Sequence, residues 1–135
     1  MRSFGWTCLF AAGVATLALG CEDDHHHDDN IVVGMATQST CPTPQTLTYA
    51  NFGQAFFATY CQTCHGSTVA GLARKGAPAD HVFDAVEDIR PLTHHIDQYA
   101  AAGPAAINTQ MPPEPPMPTE AERRQLGEWL ACGAP

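Results

Sequence analysis

Apolar side chains recur at helical spacing along most of the sequence after residue 48. Four segments show this pattern, and each predicts an amphipathic helix: 49–61, 81–89, 92–102 and 120–131. In the first segment, Phe52, Phe56 and Tyr60 repeat at intervals of four residues. No run alternates convincingly with the period of two that a half-buried strand requires. The pattern therefore predicts an all-α fold.

Residues with capping chemistry lie at the ends of two of these helices. Asp80 is placed to cap the start of the second helix. Thr119 and Glu122 have the spacing of a capping box at the start of the fourth. Gly133 suits the end of that helix, because glycine readily adopts the left-handed conformation found there. These residues support the predicted boundaries of the second and fourth helices.

A proline-rich segment, "INTQMPPEPPMP" (107–118), separates the third and fourth predicted helices. Prolines forbid a regular helix and favour an extended, stiff path. Met111 and Met117 each precede a proline in this segment. A segment of this kind can present a side chain firmly in one place.

The first twenty residues differ from the rest of the chain. Arg2 is the only early charge, and residues 6–19 are almost wholly apolar yet too short to span a bilayer comfortably. This predicts a signal peptide over 1–20. The sequence "LALGC" resembles the lipobox of bacterial lipoproteins, which implies cleavage before Cys21 and lipidation of Cys21. Ordinary signal-peptidase cleavage at the same bond and an uncleaved anchor are the alternatives.

Residues 21–40 predict a flexible tether. The part "EDDHHHDDN" is charged and lacks apolar periodicity, so it cannot bury enough surface to fold alone. Its histidines either bind a metal ion or belong to a solvated spacer, and the spacer is the favoured interpretation. The net charge of the whole chain is −8, which argues against nucleic acid as a partner and favours a basic redox partner. The remaining residues, 41–135, are enough for one small domain.

The stretch "YCQTCHGS" (60–67) carries the candidate chemistry. Cys61, Cys64 and His65 form the C-x-x-C-H signature of c-type haem attachment, in which each thiol adds to a vinyl group and the imidazole meets the iron. A structural zinc site would need four ligands, and the neighbouring pair of histidines at 94–95 is a poor second half. A redox dithiol should follow a strand, whereas a helix is predicted before this motif. Haem is favoured, with zinc and a dithiol as alternatives.

Beyond the motif, the sequence resembles the small monohaem cytochromes c of class I type. The residues that carry the resemblance are Gly53, Phe57, Met111, Leu126, Trp129 and Leu130. In that family a glycine and an aromatic residue precede the first haem cysteine, and the C-terminal helix crosses the first helix there. The resemblance implies a small cytochrome c-like helical domain, 41–135, wrapped around one covalently attached haem c.

The resemblance also implies roles for individual residues. Cys61 and Cys64 would attach the haem, and His65 and Met111 would be the axial ligands of its iron. Alternatives for the sixth ligand are Met117, His94, His95 and an open or water-bound position. The second ring nitrogen of His65 is expected to donate to a backbone carbonyl near 76–78. His81, beside a predicted helix start, is expected to have a plain surface role.

The remaining cysteines suggest a disulfide. Cys8 would leave with the signal peptide and Cys21 would take lipid, which leaves Cys41 and Cys132 at the two ends of the domain. Export places them in an oxidising compartment, where such cysteines pair. A disulfide between them would contribute about 2–4 kcal/mol of stability. Two free buried thiols are the alternative.

These features predict an exported, lipid-anchored c-type cytochrome that acts as a one-electron carrier. No catalytic acid–base pair or nucleophile constellation stands out, so the chain is not expected to be an enzyme. A haem enzyme or a ligand-sensing haem module with an open distal site is the alternative function. The expected location is the periplasmic face of a bacterial membrane or the cell envelope, or else the soluble periplasm. The expected partners are redox proteins and the membrane that holds the lipid.

Overall fold

The structure, a computed structural model, describes residues 34–135. Its α-helices are α1 (Gln54–Tyr60), α2 (Gln62–His65), α3 (Val86–Ile89), α4 (Thr93–Ala100) and α5 (Glu120–Ala131). A π-helical turn, Tyr49–Gly53, leads into α1, and single 3₁₀ turns occupy Gly71–Arg74 and Arg90–Leu92. Within residues 34–135 the only β pairing is one antiparallel bridge between Ala102 and Ile107. The predicted all-α fold is confirmed.

The predictions on residues 1–33 lie outside the described residues. They concern the signal peptide, the lipidation of Cys21 and the acidic, histidine-rich part of the tether. None of the helices in the described part of the chain has the length and apolar character needed to cross a bilayer.

The hydrophobic core lies between the N-terminal helical segment and α5. Phe57, Leu126 and Trp129 have no exposed surface, and the rings of Phe57 and Trp129 pack with centroids 5.9 Å apart. The buried apolar residues form one cluster: Phe56, Phe57, Phe83, Ile89, Ile96, Ala100, Ala101, Leu126, Trp129, Leu130 and Ala134. The apolar face predicted for the last helix is therefore the face that α5 buries.

Helix α5 has the predicted boundaries. The Thr119 hydroxyl accepts a hydrogen bond from the Glu122 amide, and the Glu122 carboxylate accepts one from the Thr119 amide, which completes a capping box. After the helix, Gly133 has a φ of 81°, the left-handed conformation expected at this end. The capping box thus gives partners to two amide donors at the start of the helix that would otherwise lack them.

The second predicted helix is shorter than expected. It begins at Val86 instead of residue 81, and its N-cap is Ala85 without a side-chain hydrogen bond, so the capping role predicted for Asp80 is wrong. Tertiary hydrogen bonds explain the difference. The Phe83 amide, which a capping Asp80 side chain would have bonded, donates instead to the carbonyl oxygen of His65 at 3.0 Å.

The third predicted helix also ends early, because the chain turns back at once. Helix α4 ends at Ala100, and the Ala102 amide donates to the carbonyl oxygen of Arg123 on α5. The chain then makes a short hairpin, residues 100–111, held by the bridge between Ala102 and Ile107. At its end, the Met111 amide donates to the carbonyl oxygen of Tyr99 at 2.9 Å. The hairpin therefore brings the proline-rich segment back alongside α4.

The folded part begins before Cys41, the boundary predicted from the sequence. Thr37 is fully buried; its amide donates to Asp97 at 2.8 Å and its hydroxyl donates to the same carboxylate at 2.5 Å. Space is tight as well, because a β-carbon on Gly34 would lie 1.7 Å from the carbonyl oxygen of Gln98. The end of the predicted tether, residues 34–40, is therefore docked onto α4.

A disulfide joins this N-terminal segment to the end of α5. Cys41 and Cys132 are bonded, with a Cα–Cα distance of 4.7 Å and a sequence separation of 91 residues. Nearby, the Tyr49 amide donates to the carbonyl oxygen of Pro135 at 2.6 Å. These bonds fix the two ends of the domain to each other.

Candidate functional site

An apolar cavity of about 460 Å³ opens beside the C-x-x-C-H motif. Its wall includes the motif residues, aromatic residues of α1, Phe83 and part of the proline-rich segment. These are Cys61, Cys64, His65, Phe56, Phe57, Tyr60, Phe83, Gln110, Met111, Pro112 and Pro113. This volume falls in the range of about 300–1,000 Å³ that small-molecule and cofactor sites occupy. The structure thus brings Cys61, Cys64, His65 and Met111 to one cavity.

His65 is held in one tautomer. Its Nδ1 lies 2.9 Å from the carbonyl oxygen of His81, and a carbonyl can only accept, so Nδ1 carries the proton. The other ring nitrogen, Nε2, is left with its lone pair. This is the arrangement that metal-binding histidines adopt, with one nitrogen oriented by a backbone acceptor and the other free for the metal.

The acceptor for His65 differs from the sequence prediction, which placed it near 76–78. Arg74 donates to carbonyl oxygens throughout this turn: Ala77 at 3.1 Å, Pro78 at 2.5 Å and His81 at 3.2 Å. The His81 carbonyl therefore accepts from both the Arg74 guanidinium and the His65 ring. The plain surface role expected for His81 is also incomplete, because its carbonyl orients His65 and its ring lines the cavity.

The His65 ring is packed as well as hydrogen-bonded. It stacks on Phe83 with centroids 4.6 Å apart and an interplanar angle of 24°. Burial lowers the pKa of His65 below its ordinary value, outweighing the His81 carbonyl, which favours the protonated ring. A neutral imidazole is the form that binds a metal.

The cysteines of the motif are unlike those of a reactive dithiol. Burial raises the pKa of the Cys61 thiol to about 12, although the positive charge of Arg123 acts in the opposite direction. Redox-active dithiols depend on a lowered pKa, because the thiolate is the attacking form. The environment of Cys61 therefore disfavours the dithiol alternative.

The structural zinc alternative also lacks support in the described residues. Within 34–135, no group of three or more His, Cys, Asp or Glu side chains comes together as a metal site would require. His95 lies beside His81, with ring centroids 4.7 Å apart, and both line the cavity. Two neighbouring histidines fall short of the four ligands that a structural zinc ion takes.

The two methionines of the proline-rich segment lie in different places. Met111 lines the cavity and has 37% of its surface exposed, whereas Met117 is 43% exposed and is not among the lining residues. Among the histidines that were alternatives, His95 lines the cavity and His94 does not.

Gln110, next to Met111, provides a test of whether the cavity fits a polar-edged cofactor. Its Oε1 is the only buried side-chain nitrogen or oxygen in residues 34–135 that lacks a hydrogen-bond partner, and Gln110 lines the cavity. Buried polar groups normally have partners, so this oxygen, which can only accept, leaves a place for a hydrogen-bond donor from a bound group or a water molecule. An apolar cavity with one spare amide, two thiols, an imidazole and a thioether fits a covalently bound haem.

A comparison with protein families matches residues 50–130 to "cytochrome C oxidase, cbb3-type, subunit III". The match covers more than half of the chain, and the chain therefore belongs to this family of c-type cytochrome domains. Comparisons with curated proteins and with solved structures give no match. The predicted monohaem cytochrome c fold is confirmed, and with it one covalent haem c as the cofactor. A domain of this kind carries electrons.

Three contributors to the site were missed by sequence reasoning: Arg74, His81 and Arg123. Arg74 and Arg123 each donate to several backbone carbonyls, and such bonds leave no periodicity or spacing in a sequence. His81 lies 16 residues from His65 and orients it through a backbone carbonyl, which any residue could supply, so no sequence signal points to this role.

Proposed function

We propose that this chain is an exported, lipid-anchored cytochrome that carries one electron at a time between redox proteins. In this proposal Cys61 and Cys64 attach the haem, and His65 and Met111 bind its iron. The haem, when bound, supplies reversible one-electron oxidation and reduction. The observation that carries the proposal is the convergence of these four side chains on one apolar cavity.

His65 and Met111 have different tasks in this arrangement. The His81 carbonyl keeps His65 in the tautomer with a free Nε2, which makes the imidazole ready to bind metal without reorganisation. The thioether of Met111 is a soft neutral ligand, and a histidine–methionine pair raises the reduction potential of haem iron. A site with both positions filled favours electron transfer over reaction with small ligands.

The aromatic wall supports the same function by excluding water. Phe57 is fully buried and Phe83 nearly so, and their rings pack edge to face with centroids 5.4 Å apart. A rigid apolar surround limits the rearrangement of water when charge is gained or lost. The residues around the cavity thus hold, orient and shield the site, and none of them is assigned a catalytic step.

Export and anchoring are supported by the N-terminal sequence and by the disulfide. Residues 1–20 have the composition of a signal peptide, and "LALGC" provides Cys21 for lipidation. The bond between Cys41 and Cys132 suits an oxidising compartment such as the bacterial periplasm. Lipidation of Cys21 would place the cytochrome at a membrane, and its acidic character favours redox partners with a basic surface.

Covalent attachment is tested by expressing the chain in a bacterial host that matures c-type cytochromes. We expect the pigment to remain with the protein through acid–acetone extraction. The double variant Cys61→Ser/Cys64→Ser should lose the pigment, whereas Cys41→Ser/Cys132→Ser, the matched removal of two other cysteines, should keep it. Pigment that is extracted from the wild-type protein would refute covalent attachment.

The sixth ligand is tested with a matched pair of variants. The ferric protein should show the weak far-red band of a sulfur–iron bond, and Met111→Ala should abolish it. Met117→Ala should leave the band in place. A band that survives in Met111→Ala but disappears in Met117→Ala would transfer the role to Met117. Tight binding of carbon monoxide by the reduced wild-type protein would instead favour a ligand-sensing or enzymatic haem site.

Anchoring is tested by fractionating cells that make the wild-type chain or Cys21→Ser. The wild-type protein should be found with membranes, and the variant should be released into the soluble fraction. Membrane association that persists in Cys21→Ser would point to an uncleaved anchor.

A further inference from the structure

We propose that Arg123 is a positioning residue that holds the backbone of Met111 at the cavity and thereby keeps the Met111 thioether in place. This inference rests on the proposed role of Met111 as an iron ligand. Arg123 lies on α5, outside the motif and outside the proline-rich segment. It does not line the cavity, and its hydrogen bonds reach the site through the Met111 carbonyl.

Arg123 is buried among backbone carbonyls. Only 2% of its surface is exposed, although arginine is among the residues least often buried. Its Nη1 donates to the carbonyl oxygens of Ala100 at 2.7 Å, Asn108 at 2.9 Å and Met111 at 2.7 Å. Nη1 carries two N–H groups, so at least one of them is shared between two acceptors. All three acceptors belong to a single piece of chain, the hairpin 100–111.

These acceptors lie on both arms of the hairpin. Ala100 is where the chain leaves α4, and Asn108 and Met111 are on the returning arm. The returning arm is tied down a second time, because the Met111 amide donates to the carbonyl oxygen of Tyr99 at 2.9 Å. Both polar backbone groups of Met111 are therefore fixed by partners outside the proline-rich segment.

The charge of Arg123 strengthens this attachment. Within residues 34–135, none of the ion pairs involves Arg123, so the carbonyl oxygens are what stabilise its charge. Hydrogen bonds from a charged donor are roughly twice as strong as neutral ones. If the returning arm moved away, a buried cation would lose two of its three acceptors, which is costly in an apolar environment. Opening of the hairpin is therefore disfavoured by Arg123 itself.

The neighbouring residue Arg124 offers a matched control. It is exposed, it forms an ion pair with Glu120 one helical turn away, and it makes only a long contact of 3.4 Å to the carbonyl oxygen of Gly103. Removing Arg124 changes the net charge of the protein as much as removing Arg123 does. It leaves the carbonyl of Met111 untouched.

The experiment compares Arg123→Met, Arg123→Lys and Arg124→Met in the haem-loaded protein. The readouts are the far-red sulfur–iron band of the ferric state and the affinity for added imidazole, which competes for the same iron position. For Arg123→Met we expect a weakened or absent band and an affinity for imidazole at least about tenfold higher, since a hydrogen bond to a charged group shifts an equilibrium by more than one tenfold step. Arg123→Lys keeps the charge and should restore part of the band, and Arg124→Met should match the wild type.

A merely structural role for Arg123 predicts a different result. Arg123→Met would then lower the free energy of unfolding while the folded protein kept the wild-type band and imidazole affinity, and this outcome would overturn the proposal. Equal spectral changes in Arg123→Met and Arg124→Met would overturn it too, because they would reflect net charge instead of the hydrogen bonds to the hairpin.

A measurement on the wild-type protein covers the case in which Arg123→Met fails to fold. Amide hydrogen exchange should be slow at Met111 and Asn108, comparable to the amides in the middle of α5, if the hairpin is held as proposed. Fast exchange at both would contradict the proposal. If Met111→Ala leaves the spectrum unchanged while these amides exchange slowly, the assignment of Met111 as ligand fails but the holding of the hairpin stands.

Discussion

The indole of Trp129 lies directly against the backbone of Gly53. A β-carbon at position 53 would be 2.9 Å from Cζ2 of the indole, closer than such atoms approach in proteins. Gly53 comes immediately before α1 and Trp129 lies in α5, so this contact is where the first and last helical segments of the domain meet. A glycine here sets how closely the two segments approach.

Gly53→Ala should therefore destabilise the protein. Alanine favours a helix over glycine by about 1 kcal/mol, but overpacking of a filled core costs about 1–3 kcal/mol, and the loss should dominate. Chemical denaturation of the holoprotein measures the difference. Trp129→Phe removes the two indole atoms that face position 53, so Gly53→Ala should cost less in that background than alone. Tyr49 Cδ2, also 2.9 Å from a β-carbon at position 53, remains, so part of the cost should remain with it. Additive effects of the two changes would contradict the contact.

The disulfide between Cys41 and Cys132 should contribute substantially to stability. It closes a loop of 91 residues, and loss of a native disulfide in a small domain costs about 2–5 kcal/mol. Cys41→Ser, Cys132→Ser and the double variant should all unfold at similarly reduced denaturant concentrations, because either change removes the same bond. With the haem iron kept ferrous in every sample, a thiol reductant should lower the midpoint of the wild-type protein and leave that of the double variant unchanged. No response of the wild-type protein to the reductant would contradict this role.

Glu122 should make the stability depend on pH in the acid range. Hydrogen bonds from Thr119, with a further one from the Tyr60 hydroxyl, lower the pKa of Glu122 below its ordinary value. A carboxyl group with a lowered pKa in the folded state stabilises the fold above its unfolded pKa, and this contribution disappears as the pH falls through the folded pKa. Glu122→Gln loses the charge but still offers a side-chain oxygen that can accept the hydrogen bond of a capping box.

We expect Glu122→Gln to be less stable than the wild type at neutral pH and equally stable below the folded pKa of Glu122. Denaturation of both proteins across the acid range measures this difference. Glu128→Gln, an exposed change on the same helix, is the control and should show a smaller dependence. A difference that grows as the pH falls would have the wrong sign for this mechanism.

Asp97 should hold the N-terminal segment on the domain. Asp97→Ala removes the acceptor of two bonds from Thr37, which is fully buried, and an unsatisfied buried polar group costs about 1–3 kcal/mol. We expect faster proteolytic cleavage within 34–40 and a lower stability, both relative to Asp88→Ala, a surface change on α3. Equal cleavage rates in the two variants would show that Asp97 does not retain the segment.

Local sequence patterns predicted the parts of the fold that depend on local interactions. Helix α5 has the predicted boundaries because Thr119 and Glu122 are close in sequence and satisfy each other. The core contacts of Trp129 and Phe57 followed from helical periodicity together with the family resemblance. The C-x-x-C-H motif, whose chemistry is contained in five residues, gave the cofactor.

Long-range backbone hydrogen bonds account for what the sequence did not reveal. Val82 and Phe83 fit a helical apolar face. The Phe83 amide nevertheless donates to the carbonyl oxygen of His65, and the helix starts only at Val86. The segment 34–40 is polar enough to suggest a tether, but Asp97 gives Thr37 a partner. The hold of Arg123 on Met111 likewise depends on a carbonyl that any residue could supply. Each of these contacts has a backbone group as at least one partner, and the sequence does not show which backbone group a distant residue will meet.

If Cys21 carries the proposed lipid, the docking of residues 34–40 shortens the tether between the membrane and the haem domain. Twelve residues lie between Cys21 and Gly34, so Gly34 can be at most about 45 Å from a lipidated Cys21, since an extended chain gains about 3.3–3.6 Å at each of the thirteen steps. The electron carrier would search a shallow layer over the membrane instead of the full depth of the compartment. The rate at which it exchanges electrons would then depend on the surface density of partner proteins in that layer.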